Sequence, residues 1–416
     1  MTDRANSQEK CLSKLCGNGR IRFVFWYWKF HLFLHIVMNS FQHDSRVLKA
    51  CRVCAEIDSQ APIKVAALWQ DGLATEEYID ERICVWRPRL RTRSWPRLSV
   101  VQVVKYLEWL WRIAAKMRLE PPAVIHAHSL GALPVGVVAK WMTGAPLIYD
   151  AHELETEAYG IGSLERRLSR WMESFLIKRA DSVVTVCDSI ADWYEEHYGV
   201  APPAVVRNVP DWEFGLSSGS DALRRQLGIP VDALIFLYQG ALSPGRGIHA
   251  AVQAFERLDP DRHLVLMGFG VLEDEIRRVS AASDYVHFRE AVPPHDLAEY
   301  TSSADIGLCL IEPVCLSNYF CLPNKLFEYI GSGIPVIASD LPEQRALIEA
   351  YDCGWVVGDD EEALGRLLAS IDRDAVNRKA AGVGAARRSL SWSKEAEVLK
   401  NTYRALGIDE CNRDMS

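Results

Sequence analysis

Short runs rich in β-branched and aromatic residues alternate along the chain with longer stretches in which apolar residues recur every three or four positions. This alternation predicts parallel β-sheets whose strands are joined by helices packed on the sheet faces. The clearest predicted helix covers residues 164–179. The predicted strands are residues 31–39, 63–68, 124–128, 147–149, 182–187 and 204–206 in the first half, and 234–239, 263–268, 285–288, 306–310 and 335–339 in the second.

Two series of strands predict two domains, and 416 residues are too many for one ordinary hydrophobic core. Residues 208–230, between the two series, are dense in glycine, serine and proline, which is typical of a connection rather than a core element. We therefore expect one doubly wound domain at residues 31–206 and another at residues 207–388. Residues 389–416 are expected to form a C-terminal helix and tail, with apolar anchors at Trp392, Leu399 and Tyr403.

The N-terminal region changes character within its first forty residues. Residues 1–20 are polar, whereas residues 21–38 are apolar and aromatic but interrupted by Arg22, Lys29 and two histidines. These interruptions disfavour a transmembrane helix, and a cleavable signal would have a shorter apolar core and a small-residue cleavage site. We expect residues 1–30 to be a disordered or membrane-interfacial extension. The predicted location is cytoplasmic, with peripheral attachment to the inner face of the membrane as an alternative.

Composition narrows the class of protein. With 49% apolar and 25% charged residues, the chain has the balance of a soluble globular protein. Its net charge of -8 argues against a nucleic-acid binder, although residues 86–97 hold a local basic patch of five arginines. Eleven cysteines without a repeating spacing indicate reduced thiols. Cys51 and Cys54 share a predicted helix face with Val47, so we interpret them as buried helix cysteines rather than a metal or redox pair.

Glycine-rich turns follow two predicted strands of the second half. Residues 239–247 contain Gly240, Gly245 and Gly247 between a strand and a helix, where backbone amides and the helix dipole can meet a phosphate. Arg246 adds a forked cation suited to phosphate oxygens. A second turn contains Gly268. Each turn is a phosphate-binding hypothesis that ordinary α/β packing would also explain.

The segment with the most specific chemistry is residues 318–338. Pro323 is placed to begin a helix, which leaves the amides of Asn324 to Leu326 free for an anion. Lys325 lies in that first turn, where a cation opposes the helix dipole unless an anion is bound. Glu328 follows on the same face, and its carboxylate can accept hydrogen bonds from two ribose hydroxyls. The alternative is a surface ion pair between Lys325 and Glu328.

At this segment the chain resembles a known family. The sequence LPNKLFEYIGSGIPVIASD is similar to the donor-site segment of retaining GT-B glycosyltransferases of group 1. The resemblance implies that Glu328 binds the ribose of a nucleotide sugar, and that Arg246 and Lys325 neutralise its diphosphate. It also implies the GT-B fold, with two Rossmann-like domains facing across a cleft and a C-terminal helix that packs back on the N-terminal domain.

The first half of the chain contains weaker matches to the same family, and they follow the order in which these segments occur in its members. Residues 43–49, 126–128, 149–153, 179–187 and 206–210 each resemble family segments. By this resemblance His152 touches the sugar near its reacting carbon, with a histidine bonded to Asp150 or Glu153 as the structural alternative. Arg46, His128 and Glu153 are weaker predictions for the acceptor side.

The resemblance implies transfer of a sugar from a UDP- or GDP-sugar to an acceptor hydroxyl with retention of configuration. The implied acceptor is a glycan, a lipid-linked molecule or a small molecule. No metal is required, because two cations stabilise the leaving diphosphate. A nucleic-acid partner is not expected.

Alternatives remain open at this point. A nucleotide-sugar 2-epimerase would share the two-domain fold. A catalytically silent scaffold is the other alternative, because Phe320 stands where many members carry a glutamate and Ala241 where many carry an arginine. A dinucleotide-dependent dehydrogenase ranks lower, since no G-x-G-x-x-G fingerprint follows the first predicted strand.

Overall fold

The computed structural model of the protein describes residues 32–42, 44–210, 219–358 and 360–408. It contains an eight-stranded sheet in order β3-β4-β2-β1-β5-β6-β7-β8 and a six-stranded sheet in order β11-β10-β9-β12-β13-β14. Neighbouring strands are parallel except for β3 and β4. The strands are β1 Phe33–Val37, β2 Ile63–Ala66, β3 Glu76–Tyr78, β4 Ile83–Trp86, β5 Val124–His128, β6 Leu147–Ala151, β7 Ser182–Thr185, β8 Ala204–Val205, β9 Leu234–Ala241, β10 Arg262–Phe269, β11 Val286–Glu290, β12 Ile306–Cys309, β13 Val336–Ser339 and β14 Gly354–Val357.

Helices connect the strands and cover both sheets. Two short 3-10 turns, Glu155–Glu157 and Ile177–Arg179, supplement them. The helices are α1 Ser45–Ile57, α2 Ser99–Leu119, α3 Leu133–Thr143, α4 Ser163–Leu176, α5 Asp188–Tyr198, α6 Ala222–Leu227, α7 Ile248–Phe255, α8 Glu273–Ala282, α9 Leu297–Thr301, α10 Leu316–Tyr319, α11 Asn324–Gly331, α12 Pro342–Tyr351, α13 Glu361–Ser370, α14 Arg373–Ser389 and α15 Trp392–Ala405.

Every predicted strand is present in the structure, which also contains three strands that were not predicted. The missed strands are β3, β4 and β14. All three side chains of β3 are exposed, so this edge strand has no buried face to give a pattern. Strands β4 and β14 have four residues each, as do four of the strands that were found, so length alone does not explain why they were missed. His31, which the first prediction included, lies outside the described residues.

The connection between the domains is more structured than predicted. Residues 222–227 form helix α6, in which Ala222 and Leu223 are buried. The amide of Leu223 donates to Ser303 Oγ at 3.3 Å, which ties this helix to the second domain. Residues 211–218 lie outside the described residues, and the domain boundaries stay a prediction.

The C-terminal helix returns to the first domain, as predicted. Helix α15 packs against α1 and β8. Tyr403 is fully buried; its ring meets Phe33 edge-on at 5.9 Å, and its hydroxyl lies 2.8 Å from His126 Nδ1. The chain thus crosses between the domains twice, which links the first domain covalently to both ends of the second.

The cysteine prediction is confirmed where the structure describes it. Cys51 and Cys54 are free and buried in α1. Burial raises the pKa of the Cys54 thiol to about 12, which keeps it protonated. The N-terminal extension predicted at residues 1–30 lies outside the described residues. Among the helices that are described, none has the length and apolar character needed to cross a bilayer.

Candidate active site in the interdomain cleft

A cavity of about 670 Å³ separates the two domains. This volume is in the range of small-molecule sites. The second domain contributes Arg246 and residues 321–324, and the first contributes residues 39–42, 44–46, His152 and Glu153. Both sheets end near this space, because loops that follow β1, β6 and β9 line it. The structure thus brings five of the predicted site residues to one cavity: Arg46, His152, Glu153, Arg246 and Asn324.

A buried ion pair forms the floor on the side of the first domain. Arg46 donates from Nε and Nη2 to the two oxygens of Asp150, at 3.0 and 2.6 Å, and from Nη1 to the carbonyl of Val206 at 2.8 Å. The Asp150 side chain is 3% exposed. Burial alone would raise the pKa of Asp150, but the charge of Arg46 holds it well below its usual range. The guanidinium of Arg46 is therefore committed to Asp150 while its surface lines the cavity.

His128 lies behind this pair rather than on the cavity wall. Its Nδ1 is 3.1 Å from Asp150 Oδ2, and its Nε2 is 3.0 Å from Nδ1 of His35. Burial lowers the pKa of His128 to about 3, so the ring is neutral. The predicted acceptor-side position of His128 gains no geometric support, because the side chain is buried and does not line the cavity.

His152 is the histidine that reaches the cavity. Its side chain is 27% exposed, and Nε2 lies 3.3 Å from Asp150 Oδ2 and 3.4 Å from His128 Nδ1. His152 is thus close to Asp150, as the structural alternative predicted, and it also faces the cavity. Glu153 is exposed at the same wall and accepts a hydrogen bond from Ser317 across the cleft at 3.5 Å.

His128, Asp150 and His152 place potential metal ligands within 4.8 Å of one another. The geometry is that of an ion-pair network, because both carboxylate oxygens of Asp150 already accept from Arg46. A divalent cation there would lie against a fixed guanidinium. The donor set therefore fits a metal poorly.

On the side of the second domain, Lys325 has an unusual environment. Pro323 is the N-cap residue of helix α11, and its carbonyl accepts from the amide of Leu326 at 3.1 Å, so this amide is not free for an anion as predicted. Lys325 extends from the first turn over the ring of Tyr238, with Nζ 3.7 Å from the ring centroid. Nζ is buried, and no hydrogen-bond partner for it exists in the described chain. Desolvation, with the nearby charge of Arg246, lowers the pKa of Lys325 to about 8. The predicted alternative of a surface ion pair with Glu328 is wrong, because Nζ has no such contact.

Arg246 and Asn324 complete this wall. Arg246 is half-buried at the cavity, and no carboxylate in the described residues pairs with it. Asn324 is exposed and accepts from the Nδ2 of Asn208, at 3.1 Å. Lys325 and Arg246 therefore make no salt bridge in the described residues, and the charge of Glu328 only partly offsets the effects that lower the pKa of Lys325. Such an arrangement is unfavourable unless an anionic ligand occupies it.

The three glycines predicted to bind the donor have different positions. Gly240 has a φ of 124° and lies beside Lys325, since a Cβ there would be 3.6 Å from Nζ. A Cβ on Gly247 would meet Leu310 at 2.4 Å, and one on Gly268 would meet the carbonyl of Gly240 at 1.9 Å. The amide of Gly247 also donates to Glu312 at 3.2 Å. Close packing explains Gly247 and Gly268, and neither of them lines the cavity.

Glu328 is held by a short chain of hydrogen bonds. Gln239 Nε2 donates to Glu328 Oε2 at 2.6 Å, and Thr301 donates to Gln239 Oε1 at 2.8 Å. Burial raises the pKa of Glu328, while the bond from Gln239 and the charge of Lys325 oppose the rise. The carboxylate is therefore oriented from one side only, by an amide at the end of β9.

Sequence reasoning missed Asp150 and Gln239 as organising residues. Each is among the last residues of a strand, Asp150 in β6 and Gln239 in β9. Polar residues at the carboxyl end of a buried parallel strand are the signal that would have found them.

Family models match both domains. Residues 54–212 match the glycosyl transferase 4-like domain, and residues 233–373 match glycosyl transferases group 1. The first matched stretch covers seven of the eight strands of the first sheet, from β2 to β8, and the second covers all six strands of the second sheet.

Characterised relatives share about a quarter of their residues with the chain. An alpha-maltose-1-phosphate synthase of Mycolicibacterium smegmatis is 26% identical over 314 residues, which cover 68% of this chain and 79% of the relative. A D-inositol 3-phosphate glycosyltransferase of Corynebacterium efficiens is 25% identical over 320 residues, covering 70% and 72%.

Solved structures share the fold at lower identity. Sucrose-phosphate synthase from Thermosynechococcus elongatus superposes with a TM-score of 0.74 at 17% identity, over 91% of this chain and 99% of that one. HepE of Anabaena, solved with UDP and glucose, gives a TM-score of 0.69 at 16% identity, over 90% and 100%. The chain therefore belongs to the group 1 glycosyltransferases, enzymes of the GT-B fold, with a glycosyl transferase 4-like domain ahead of the group 1 domain.

Proposed function

We propose that this glycosyltransferase moves a sugar from a nucleotide-sugar donor to an acceptor hydroxyl with retention of anomeric configuration. The observation that carries the proposal is the buried ammonium of Lys325, which has no hydrogen-bond partner in the described chain. Arg246 lines the cavity and Lys325 does not, but the two are close enough for the charge of Arg246 to lower the pKa of Lys325. A diphosphate supplies the two negative charges that this pair of cations lacks. The donor class is a UDP- or GDP-sugar, and HepE of Anabaena, which shares the fold, was solved with UDP-glucose.

The proposed chemistry depends on stabilising the leaving group. The bond between the anomeric carbon and a phosphate oxygen breaks, and negative charge develops on the diphosphate. Arg246 and Lys325 are in place before the reaction and stabilise that charge. The acceptor oxygen bonds to the anomeric carbon on the same face, and its proton passes to the leaving diphosphate. No metal is required, because the two cations carry out its role.

The opposing wall positions the sugar and the acceptor. His152 faces the cavity while Asp150 fixes its Nε2. We place the transferred sugar between His152 and the wall of the second domain, with Arg46 and Glu153 toward the acceptor. The acceptor class is a glycan, a glycolipid or another glycoconjugate precursor. A cytoplasmic location with peripheral contact to the membrane agrees with that class.

Glu328→Gln is expected to weaken UDP binding about tenfold or more, because a carboxylate that accepts from ribose hydroxyls is replaced by a neutral amide. Removing the ribose 2′-hydroxyl from the ligand should weaken binding to the parent enzyme but cause little further loss in the variant. Titration calorimetry with UDP and 2′-deoxy-UDP measures both effects. Glu349→Gln, on the exposed face of α12, is the matched control. A full 2′-deoxy penalty in the Glu328 variant would refute the ribose assignment.

Proton NMR of the enzyme incubated with a donor but no acceptor separates transfer from epimerisation. We expect slow release of the nucleoside diphosphate and free sugar, because water is then the only nucleophile. The C2 configuration of the remaining nucleotide sugar should not change. Accumulation of a nucleotide sugar inverted at C2 would instead establish the epimerase alternative.

A further inference from the structure

Helix α2 has two apolar faces, of which the sheet covers only one. Trp109, Ile113 and Met117 are buried against the core of the first domain. The opposite side exposes an apolar stripe at helical spacing, in which Leu107 is 54% and Trp111 67% exposed. Two further valines extend the stripe to the start of the helix, Val100 and Val103. A stripe of this size on a surface helix marks a contact surface.

The charge around this stripe is opposite to that of the whole protein. Residues 87–119 contain nine Lys or Arg and a single acidic residue, Glu108, although the chain carries a net charge of -8. Four arginines of the loop before α2 are exposed, together with Trp95 and Leu98. We name the outer side of α2 with the loop 88–98 the docking face.

Neighbouring helices continue the docking face. Helix α2 packs against α3, which also contacts α4. Trp141 on α3 is 84% exposed. On α4, three more apolar side chains are exposed at helical spacing: Leu168, Trp171 and Phe175. Three adjacent helices therefore present tryptophan and aliphatic side chains on one side of the first domain.

We propose that the docking face binds the surface of an anionic lipid bilayer. Exposed apolar side chains within a basic rim match a surface that has acyl chains below negatively charged headgroups. A symmetric contact with a second copy is disfavoured, because it would bring the two basic surfaces together. The docking face rests on the peripheral membrane contact proposed above, and it does not depend on the identity of the donor.

The docking face is joined directly to the cleft. Arg87, which precedes the loop 88–98, donates to the backbone carbonyls of Ser40 at 2.8 Å and Phe41 at 3.3 Å. Ser40 and Phe41 line the interdomain cavity. Docking by this face therefore holds the acceptor side of the cavity near the bilayer, which suits an acceptor hydroxyl carried on a lipid.

Co-sedimentation of the full chain with vesicles tests the proposal. We expect binding to vesicles of phosphatidylglycerol and phosphatidylcholine in roughly equal parts, and little binding to phosphatidylcholine alone. Arg91→Ser combined with Arg97→Ser should weaken binding about 25-fold, since each basic residue near the surface contributes about fivefold. Leu107→Ser combined with Trp111→Ser should weaken it about tenfold or more. Val231→Ser, at an 86% exposed position of the second domain, is the matched control.

Three outcomes would overturn the proposal. The first is equal sedimentation of the parent chain and both double variants, and the second is equal binding to neutral and anionic vesicles. The third is a concentration-dependent dimer in light scattering that the double variants abolish, which would assign the face to a second copy instead. UDP-induced thermal stabilisation of the variants is expected to equal that of the parent chain, which separates this test from that of the donor site.

Discussion

Replacing Lys325 with alanine is expected to lower kcat/KM about 100- to 1000-fold, the usual loss when one preorganised stabiliser of a developing anion is removed. The same substitution should leave the fold at least as stable as before. Nζ is buried without a hydrogen-bond partner, and its lowered pKa shows that its charge is a net cost to the empty protein despite the contact with the ring of Tyr238. A lysine with a structural role would give the opposite result, in which stability and activity fall together.

The pH dependence of stability and the pH dependence of activity both follow from the titration of Lys325. The folded protein lowers the pKa of Lys325 from 10.5 to about 8. The cost to stability is therefore fully present below pH 8 and is relieved as pH rises toward 10.5, since the unfolded chain binds the proton more tightly. Activity should change in the other direction: kcat/KM is expected to fall as pH rises through 8, because the ammonium then loses its charge.

Steady-state kinetics and thermal denaturation check this prediction. Lys394→Ala is the matched control, because Lys394 is exposed on α15. We expect it to change neither kcat/KM nor Tm. Unchanged turnover in the Lys325 variant would contradict the proposed role of Lys325, whereas absence of turnover in the parent chain as well would favour the catalytically silent scaffold.

Replacing Asp150 with alanine is expected to lower the free energy of unfolding by about 3–5 kcal/mol, the range for removing one partner of a buried ion pair. Arg46 then stays buried but loses the two hydrogen bonds to Asp150, and only its hydrogen bond to the carbonyl of Val206 remains. It also removes the carboxylate that holds His128 and His152. We therefore expect the activity of the residual folded enzyme to fall as well.

Urea denaturation measures the effect of Asp150→Ala on stability. Glu362→Gln, in an ion pair whose side chains are 66% and 80% exposed, is the control and should change the free energy of unfolding by at most about 1 kcal/mol. The double variant Arg46→Met and Asp150→Leu should recover much of the lost stability, because no buried charge then lacks a partner. Equal losses for the control and the Asp150 variant would contradict the role of the buried pair.

The sequence predicted the architecture well, because both sheets are buried on two faces and their strands appear as apolar runs. It failed at β3, where every side chain is exposed and no pattern exists. Part of the linker was also misjudged, since Ala222 and Leu223 are buried by contacts that no local pattern shows.

Some residues of the candidate site were predicted from the sequence and others were missed, because a local pattern does not show contacts between distant parts of the chain. Lys325 and Glu328 stand in one short segment whose chemistry is visible in the sequence itself. Asp150 and Gln239 organise the same cleft through partners that lie far away in the chain: Asp150 binds Arg46, and Gln239 binds Glu328. His128 shows the converse, because a polar residue near the end of a strand proved to be buried behind the site. Only the packed structure separates residues that face the cavity from those that support it.

The role of Lys325 in donor binding can be measured by a thermal-shift screen of the parent chain and Lys325→Ala against UDP-, GDP- and ADP-sugars, because a bound donor stabilises the fold by mass action. We expect at least one nucleotide sugar to raise the Tm of the parent chain and the shift to be largely lost in the variant. Absence of any shift in the parent chain, or an equal shift in both proteins, would contradict the assignment of Lys325 to the donor diphosphate.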